Sequence, residues 1–215
     1  MAADQRSLAT AAAVLLLLTI AWVAGQIAKR RRVAAMLQAV DAATVGRITP
    51  RSRTDPGGFA VAVVPPPEPF REFSVSYRCL SILDPVDVAR RLGRGQVSRL
   101  QVAGNLPEAP SAELVWARGL PPGQVLGKAP GRGQWVFQQL DFAGAEYGTR
   151  GPNVAALRHV LRDMYSRYGP GLKQITVQRE RRPMLRLVME GAIDLRDVSP
   201  LIASARALAR AALLE

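Results

Sequence analysis

From Leu8 to Ala28 the chain runs 21 residues without a charge, and Lys29-Arg30-Arg31-Arg32 follow directly. At about 1.5 Å per residue a helix of this length reaches roughly 32 Å, close to the ~30 Å hydrocarbon core of a bilayer. The pattern therefore predicts a single transmembrane helix. Val33, Met36, Leu37 and Val40 then recur at helical spacing, so the helix is expected to continue until Gly46 and Pro50 stop it.

Farther along, Phe73, Val75, Tyr77 and Cys79 alternate with Ser74, Ser76 and Arg78, the period of a half-buried strand. Asp84-Pro85 opens a short helix, with Asp84 as N-cap, Pro85 in the first position and Gly93 as the stop. Residues 97–102, 114–118 and 135–142 read as strands. From Val154 to Tyr168, the residues Val154, Leu157, Leu161, Met164 and Tyr168 share one helical face, and Gly169-Pro170 ends it. Residues 172–179 and 185–190 read as a hairpin around Glu180-Arg181-Arg182-Pro183. Ser199 and Pro200 open a final helix that packs through Leu201, Ala205, Leu208 and Ala212. Antiparallel strands interspersed with packing helices give an α+β fold: a mixed, mostly antiparallel sheet with helices packed on it, behind one N-terminal transmembrane helix.

Three segments follow. Residues 1–28 are a short tail and anchor. Residues 29–69 are a basic juxtamembrane helix and a linker rich in Pro, Gly and Arg, whose Val64–Pro69 stretch reads as an extended spacer or an SH3-type ligand. Residues 70–215 are the folded domain, expected in the cytosol, because the cations behind the anchor belong on the cytoplasmic side and the N-terminal tail outside. The rival reading is a signal peptide cleaved near Val23-Ala24-Gly25, which exports the rest.

The formal net charge is +12, from 29 Lys and Arg against 17 Asp and Glu, and all but Lys29, Lys128 and Lys173 of the cations are Arg. Such an excess favours anionic partners: lipid head groups, RNA or acidic proteins. It also fits nothing more than an Arg-rich composition. The single cysteine, Cys79, rules out an internal disulfide and a thiolate-rich zinc site; beside Arg78 on a strand it reads as a buried structural residue.

Candidate chemistry is sparse. The single histidine, His159, lies opposite the Leu157/Leu161/Met164 stripe and is expected in solvent, without an orienting partner. Asp84/Asp87 and Asp194/Asp197 could bind a metal or share acid–base work, but both pairs stand at helix starts, where carboxylates cap free N–H groups. Gly123 to Ala129 lacks the spacing and the hydroxyl of a phosphate loop. The Gly-Arg-Gly-Gln turns at 93–96 and 131–134 could meet phosphate or be a chance repeat. No catalytic, cofactor or metal site is expected, and no small-molecule substrate is indicated. Two places crowd cations without comparable acids. Lys29, Arg30, Arg31 and Arg32 are expected at the membrane surface. Arg179, Arg181, Arg182 and Arg186 form either a solvated sheet edge or a surface for an anionic partner.

Residues 77–118, with Leu83-Asp84-Pro85-Val86-Asp87-Val88-Ala89-Arg90-Arg91-Leu92, and residues 172–213 resemble the calumin family. Its members are single-pass endoplasmic-reticulum proteins of the translocon-associated PAT complex. The resemblance implies an outside tail, an anchor, a cytosolic α+β domain, a role in membrane-protein insertion and basic residues near ribosomal RNA. The long charged C-terminal coiled coil of that family has no counterpart before Glu215. The expected function is a membrane-anchored, non-enzymatic binding or assembly domain on the cytosolic face. The alternatives are a membrane-bound enzyme using carboxylates, with Asp84, Asp87 or Asp141 beside His159, and an extracytoplasmic domain exported by a cleaved signal.

Overall fold

Antiparallel pairing organises the molecule from Arg47 to Glu190. The structure, a computed structural model, describes residues 2–51, 57–126, 134–139, 146–152 and 154–214. Within them nine strands form one sheet in the order β1-β2-β3-β4-β9-β8-β5-β7-β6, every neighbouring pair antiparallel. The strands are β1 (Arg47–Pro50), β2 (Gly58–Val64), β3 (Glu72–Arg78), β4 (Arg99–Asn105), β5 (Glu113–Ala117), β6 (Val136–Gln139), β7 (Glu146–Arg150), β8 (Leu172–Val177) and β9 (Leu185–Glu190). The helices are α1 (Ala2–Ala43), α2 (Pro85–Arg94), α3 (Pro122–Leu126), α4 (Val154–Tyr168) and α5 (Val198–Leu213). This is the α+β class expected, with the sheet wholly antiparallel among the described strands.

One face of the sheet carries Phe59, Val61, Val75, Tyr77, Leu100, Val102, Leu114, Trp116, Ile175, Val177, Leu185 and Leu187. They are buried under α4, α5 and the second half of α1. The stripes read from the sequence do this packing: Leu157, Leu161 and Met164 from α4, and Leu201, Ala205, Leu208 and Ala212 from α5, are all essentially inaccessible. The opposite face is mixed. At one end Val115, Leu126 and Trp135 form a small second core. Toward β2 and β3 it carries the half-buried Ala60, Ala62, Ser74 and Ser76.

Residues 29–69 are not a separate linker. Met36 and Val40 are wholly buried in the main core, with Val33 and Leu37 packed against it. The helix that contains the apolar stretch therefore runs without a break into the domain. Residues 58–64 are β2, paired on both sides as the second strand from one edge of the sheet, and the prolines after Val64 connect it to β3. The linker reading fails because apolar residues at consecutive strand positions, flanked by Pro and Gly, carry no polar alternation. Two ends also move: α2 stops at Gly95, which is left-handed (φ 59°), and not at Gly93, and α5 begins at Val198, so Ser199 lies inside it. Of the expected strand over 135–142, Val136–Gln139 is a strand and residues 140–142 lie outside the described part. The residues Gly127–Ala129, Gly131–Gly133 and Asp141 lie outside it as well.

α1 is the one described helix long and apolar enough to cross a membrane, judged by length and composition. Leu15 to Leu18, Ile20, Trp22, Val23 and Ile27 are exposed along it. No other described element packs on that stretch until Gly25, where the loop before α2 touches the helix.

Candidate functional site

Where the apolar stretch ends, three buried charges meet. Asp84 caps α2 as its sequence position dictates, accepting from the Val86 N–H at 3.0 Å. Its second carboxylate oxygen accepts from Lys29 Nζ and from Gln26 Nε2, each at 2.8 Å. Lys29 Nζ also pairs with Asp87 at 2.6 Å, and Asp87 accepts from the Ser81 N–H at 3.0 Å. All three side chains are below a tenth exposed. Burial pushes the Asp84 carboxyl up, but the hydrogen bonds from Lys29 and the Val86 N–H, with the Lys29 charge, outweigh it and leave its pKa below the usual carboxylate value. The contact is tight in the backbone too. A Cβ on Gly25 would lie 2.7 Å from the Asp84 nitrogen, so only glycine lets the loop rest on α1 here.

This triad forms one wall of a cavity of about 680 Å³. Trp22 and Gln26 of α1 line one side, Val86 and Arg90 of α2 another, and Ser76, Arg78, Arg99 and Gln101 of the sheet a third. Lys29, expected as a surface cation, is thus a buried structural partner, because two carboxylates fixed on α2 and its cap hold its ammonium. Arg30 and Arg31 remain exposed, and Arg32 donates to the Ile193 carbonyl.

The mixed sheet face carries the other cationic group. In register, Arg99 faces Arg78 on β3 and Glu190 on β9, while Arg186 faces Ala103 on β4 and Thr176 on β8. Opposed residues share a face, so Arg78, Arg99 and Arg186 stand on one surface. The Nε atoms of Arg99 and Arg186 are buried without a partner. Burial, and the nearby charges of Arg99 and Arg181, pull the Arg186 pKa down.

The four hairpin arginines do not form one free patch. Arg179 donates to the Pro110 carbonyl at 3.1 Å, and its backbone N–H donates to Glu113. Glu113 is buried and also pairs with Arg150. Arg181 donates to the Leu126 carbonyl at 2.9 Å, tying the turn to α3. Arg182 is exposed, and Arg186 points onto the mixed face. His159 is 76 % exposed with Asp163 at 3.4 Å and does not line the cavity. Cys79 is buried. Asp194 caps the short 3-10 turn Leu195–Asp197 by accepting from the Arg196 N–H. Among the described residues, no three His, Cys, Asp or Glu side chains converge as a metal site.

Sequence reasoning missed the Lys29–Asp84–Asp87 triad, whose members are 55 and 58 positions apart. One signal was present: two carboxylates at i,i+3 with the first in an N-cap leave the second pointing off the helix axis, in need of a cation. Comparison of the chain with protein-family models and with curated proteins finds no match.

Proposed function

We propose that the chain is a membrane-anchored, non-enzymatic binding domain on the cytosolic side, which holds an anionic partner on the mixed face of its sheet and serves membrane-protein assembly. One observation carries this reading. Arg99 and Arg186 keep buried guanidinium nitrogens without a partner, and among the described residues neither makes an ion pair or a side-chain hydrogen bond. Arg150, by contrast, is tied to Glu113, Arg118 to two carbonyls and Arg206 to the Glu68 carbonyl. A buried cationic donor left unmatched is costly, and a carboxylate or phosphate oxygen would satisfy it. Arg78 and the exposed Arg182 extend the surface.

The cytosolic placement rests on the cations after the apolar stretch. With Lys29 neutralised by two carboxylates, Arg30, Arg31 and Arg32 supply the bias and the attraction to anionic head groups. Against the enzyme reading weigh the engagement of Asp84 and Asp87 by Lys29 and the absence of His159 from the lining of their cavity; Asp141, the third carboxylate of that reading, lies outside the described residues.

The test is crosslinking in native membranes from a photoreactive residue at position 182, followed by identification of bound protein and RNA. Translocase or ribosomal components captured by the wild type, and lost in Arg99→Ala/Arg186→Ala, are the expected result. Equal capture by that double variant would refute the anionic face, and activity of an exported reporter fused at the C-terminus would refute the cytosolic placement.

A further inference from the structure

α2 is inside out. At 100° per residue, Val86, Ala89 and Leu92 fall on one side of the helix, and Asp87, Arg90 and Arg91 on the other. In α4 and α5 the apolar stripe faces the sheet and is buried. In α2 the one buried side chain among the described residues is Asp87 and Val88 is half-buried, while Val86 is 50 % and Leu92 84 % exposed, with Ala89 exposed between them. The preceding loop adds Ile82 at 70 % and Leu83 at 49 %. Four large exposed apolar side chains thus stand within eleven residues of sequence. A soluble domain has no reason to offer a run of large apolar side chains on a helix and its entry loop outward.

The position of the patch identifies what covers it. Leu83 and Asp84 touch α1 at Gly25, and Asp84 and Asp87 hold Lys29. Gly25 is three residues inside the end of the apolar stretch, or about 4.5 Å along the helix axis. This is the depth of the boundary between acyl chains and head groups. Trp22, at the same end, belongs to the residue type that sits there. We propose that Ile82, Leu83, Val86 and Leu92 lie in the bilayer interface, with α2 parallel to the membrane plane and the exposed Arg91 reaching for the phosphates. The buried triad then acts as the clamp that sets the depth and angle of this second membrane contact. The occupant of the apolar face is lipid.

This inference rests on the reading that residues 8–28 span the bilayer, and the experiment separates the two. The full chain is reconstituted in phosphatidylcholine–phosphatidylglycerol vesicles, with an environment-sensitive dye on a cysteine placed by Leu92→Cys, Leu16→Cys or Glu108→Cys. Wild type treated in parallel corrects for Cys79. Glu108 is exposed beyond the far end of β4 and serves as the aqueous control. Lipids with a nitroxide near the carbonyl end of the acyl chain should quench most of the Leu92 emission and leave that of Glu108. Nitroxides near the chain terminus should quench Leu16. Quenching at Leu16 without quenching at Leu92 overturns the interfacial helix alone. Absence of quenching at Leu16 overturns the membrane span and the inference with it. A blue-shifted Leu92 dye that lipid nitroxides do not reach would mean that protein, not lipid, covers α2, and overturns the proposal.

Discussion

Lys29 stands one position beyond the apolar stretch, where a free lysine would extend toward lipid phosphates. Instead its ammonium meets Asp84 at 2.8 Å and Asp87 at 2.6 Å, inside the protein. A buried pair of this kind adds little net stability against an apolar equivalent, but losing one partner strands the others. Lys29→Met leaves two carboxylates, 2 % and 1 % exposed, without their cation, and should cost about 3–5 kcal/mol in unfolding free energy. Arg30→Ala, on an exposed cation next door, should stay within about 0.5 kcal/mol. The sign of the pH dependence follows from Asp84. Its native pKa is held below the unfolded value of about 3.9, so its contribution is complete above that pH and is lost as pH falls through the native value. Thermal melts of the full chain in micelles, taken from neutral pH to acid, should show this loss in wild type. The acid limb should be flatter in Lys29→Met. A Lys29→Met melt equal to wild type at neutral pH would mean that the triad is not formed.

At the scale of elements, legibility followed the contrast between neighbouring positions. α4 and α5 were plain because each places apolar residues every third or fourth position, Leu and Met in α4 and alternating Leu and Ala in α5, and the sheet buries that stripe. β3 was plain because serines separate Phe73, Val75 and Tyr77. β2 was not, since Ala60 and Ala62 stand between Phe59, Val61 and Val63 and erase the alternation. β7 hides for another reason: its centre is Gly148, whose missing side chain lets Phe137 come within 3.0 Å of where a Cβ would be. α2 was located by its cap, but the direction of its faces follows from Lys29, which is distant in sequence. The second half of α1 showed its helical period, yet nothing local distinguishes a helix leaving the membrane into water from one entering a core. The two readings differ in energy. Met36 is wholly buried, so Met36→Ala should destabilise the domain by about 2–5 kcal/mol, whereas a linker residue would shift it by less than about 0.5 kcal/mol. Chemical unfolding followed by tryptophan emission measures this, Trp116 lying in the same core.

Across the whole molecule, one unbroken helix joins the membrane-length stretch to the core and is fixed twice. Gly25 and Lys29 hold the loop before α2 and α2 itself, and four to eleven residues on, Val33, Met36 and Val40 hold the sheet and α5. The domain is therefore not tethered but aligned: its sheet, its mixed face and α2 keep a set angle to α1. That geometry makes rotation the sensitive variable. One alanine inserted between Arg30 and Arg31 turns everything on one side by about 100° and moves it about 1.5 Å. Lys29 then cannot meet Asp84 and Asp87 while Met36 and Val40 keep their seats. Either the triad opens or the core does, and each alternative is as costly as the single substitutions above. The same insertion between Leu16 and Leu17 rotates only the exposed part of α1, on which the domain has no hold. The insertion after Arg30 should lower the thermal midpoint of the full chain by an amount comparable to Lys29→Met, and the insertion after Leu16 should leave it unchanged. Equal melts for the two insertions would show a hinge at Arg30, and with it a domain free to swing relative to the apolar stretch.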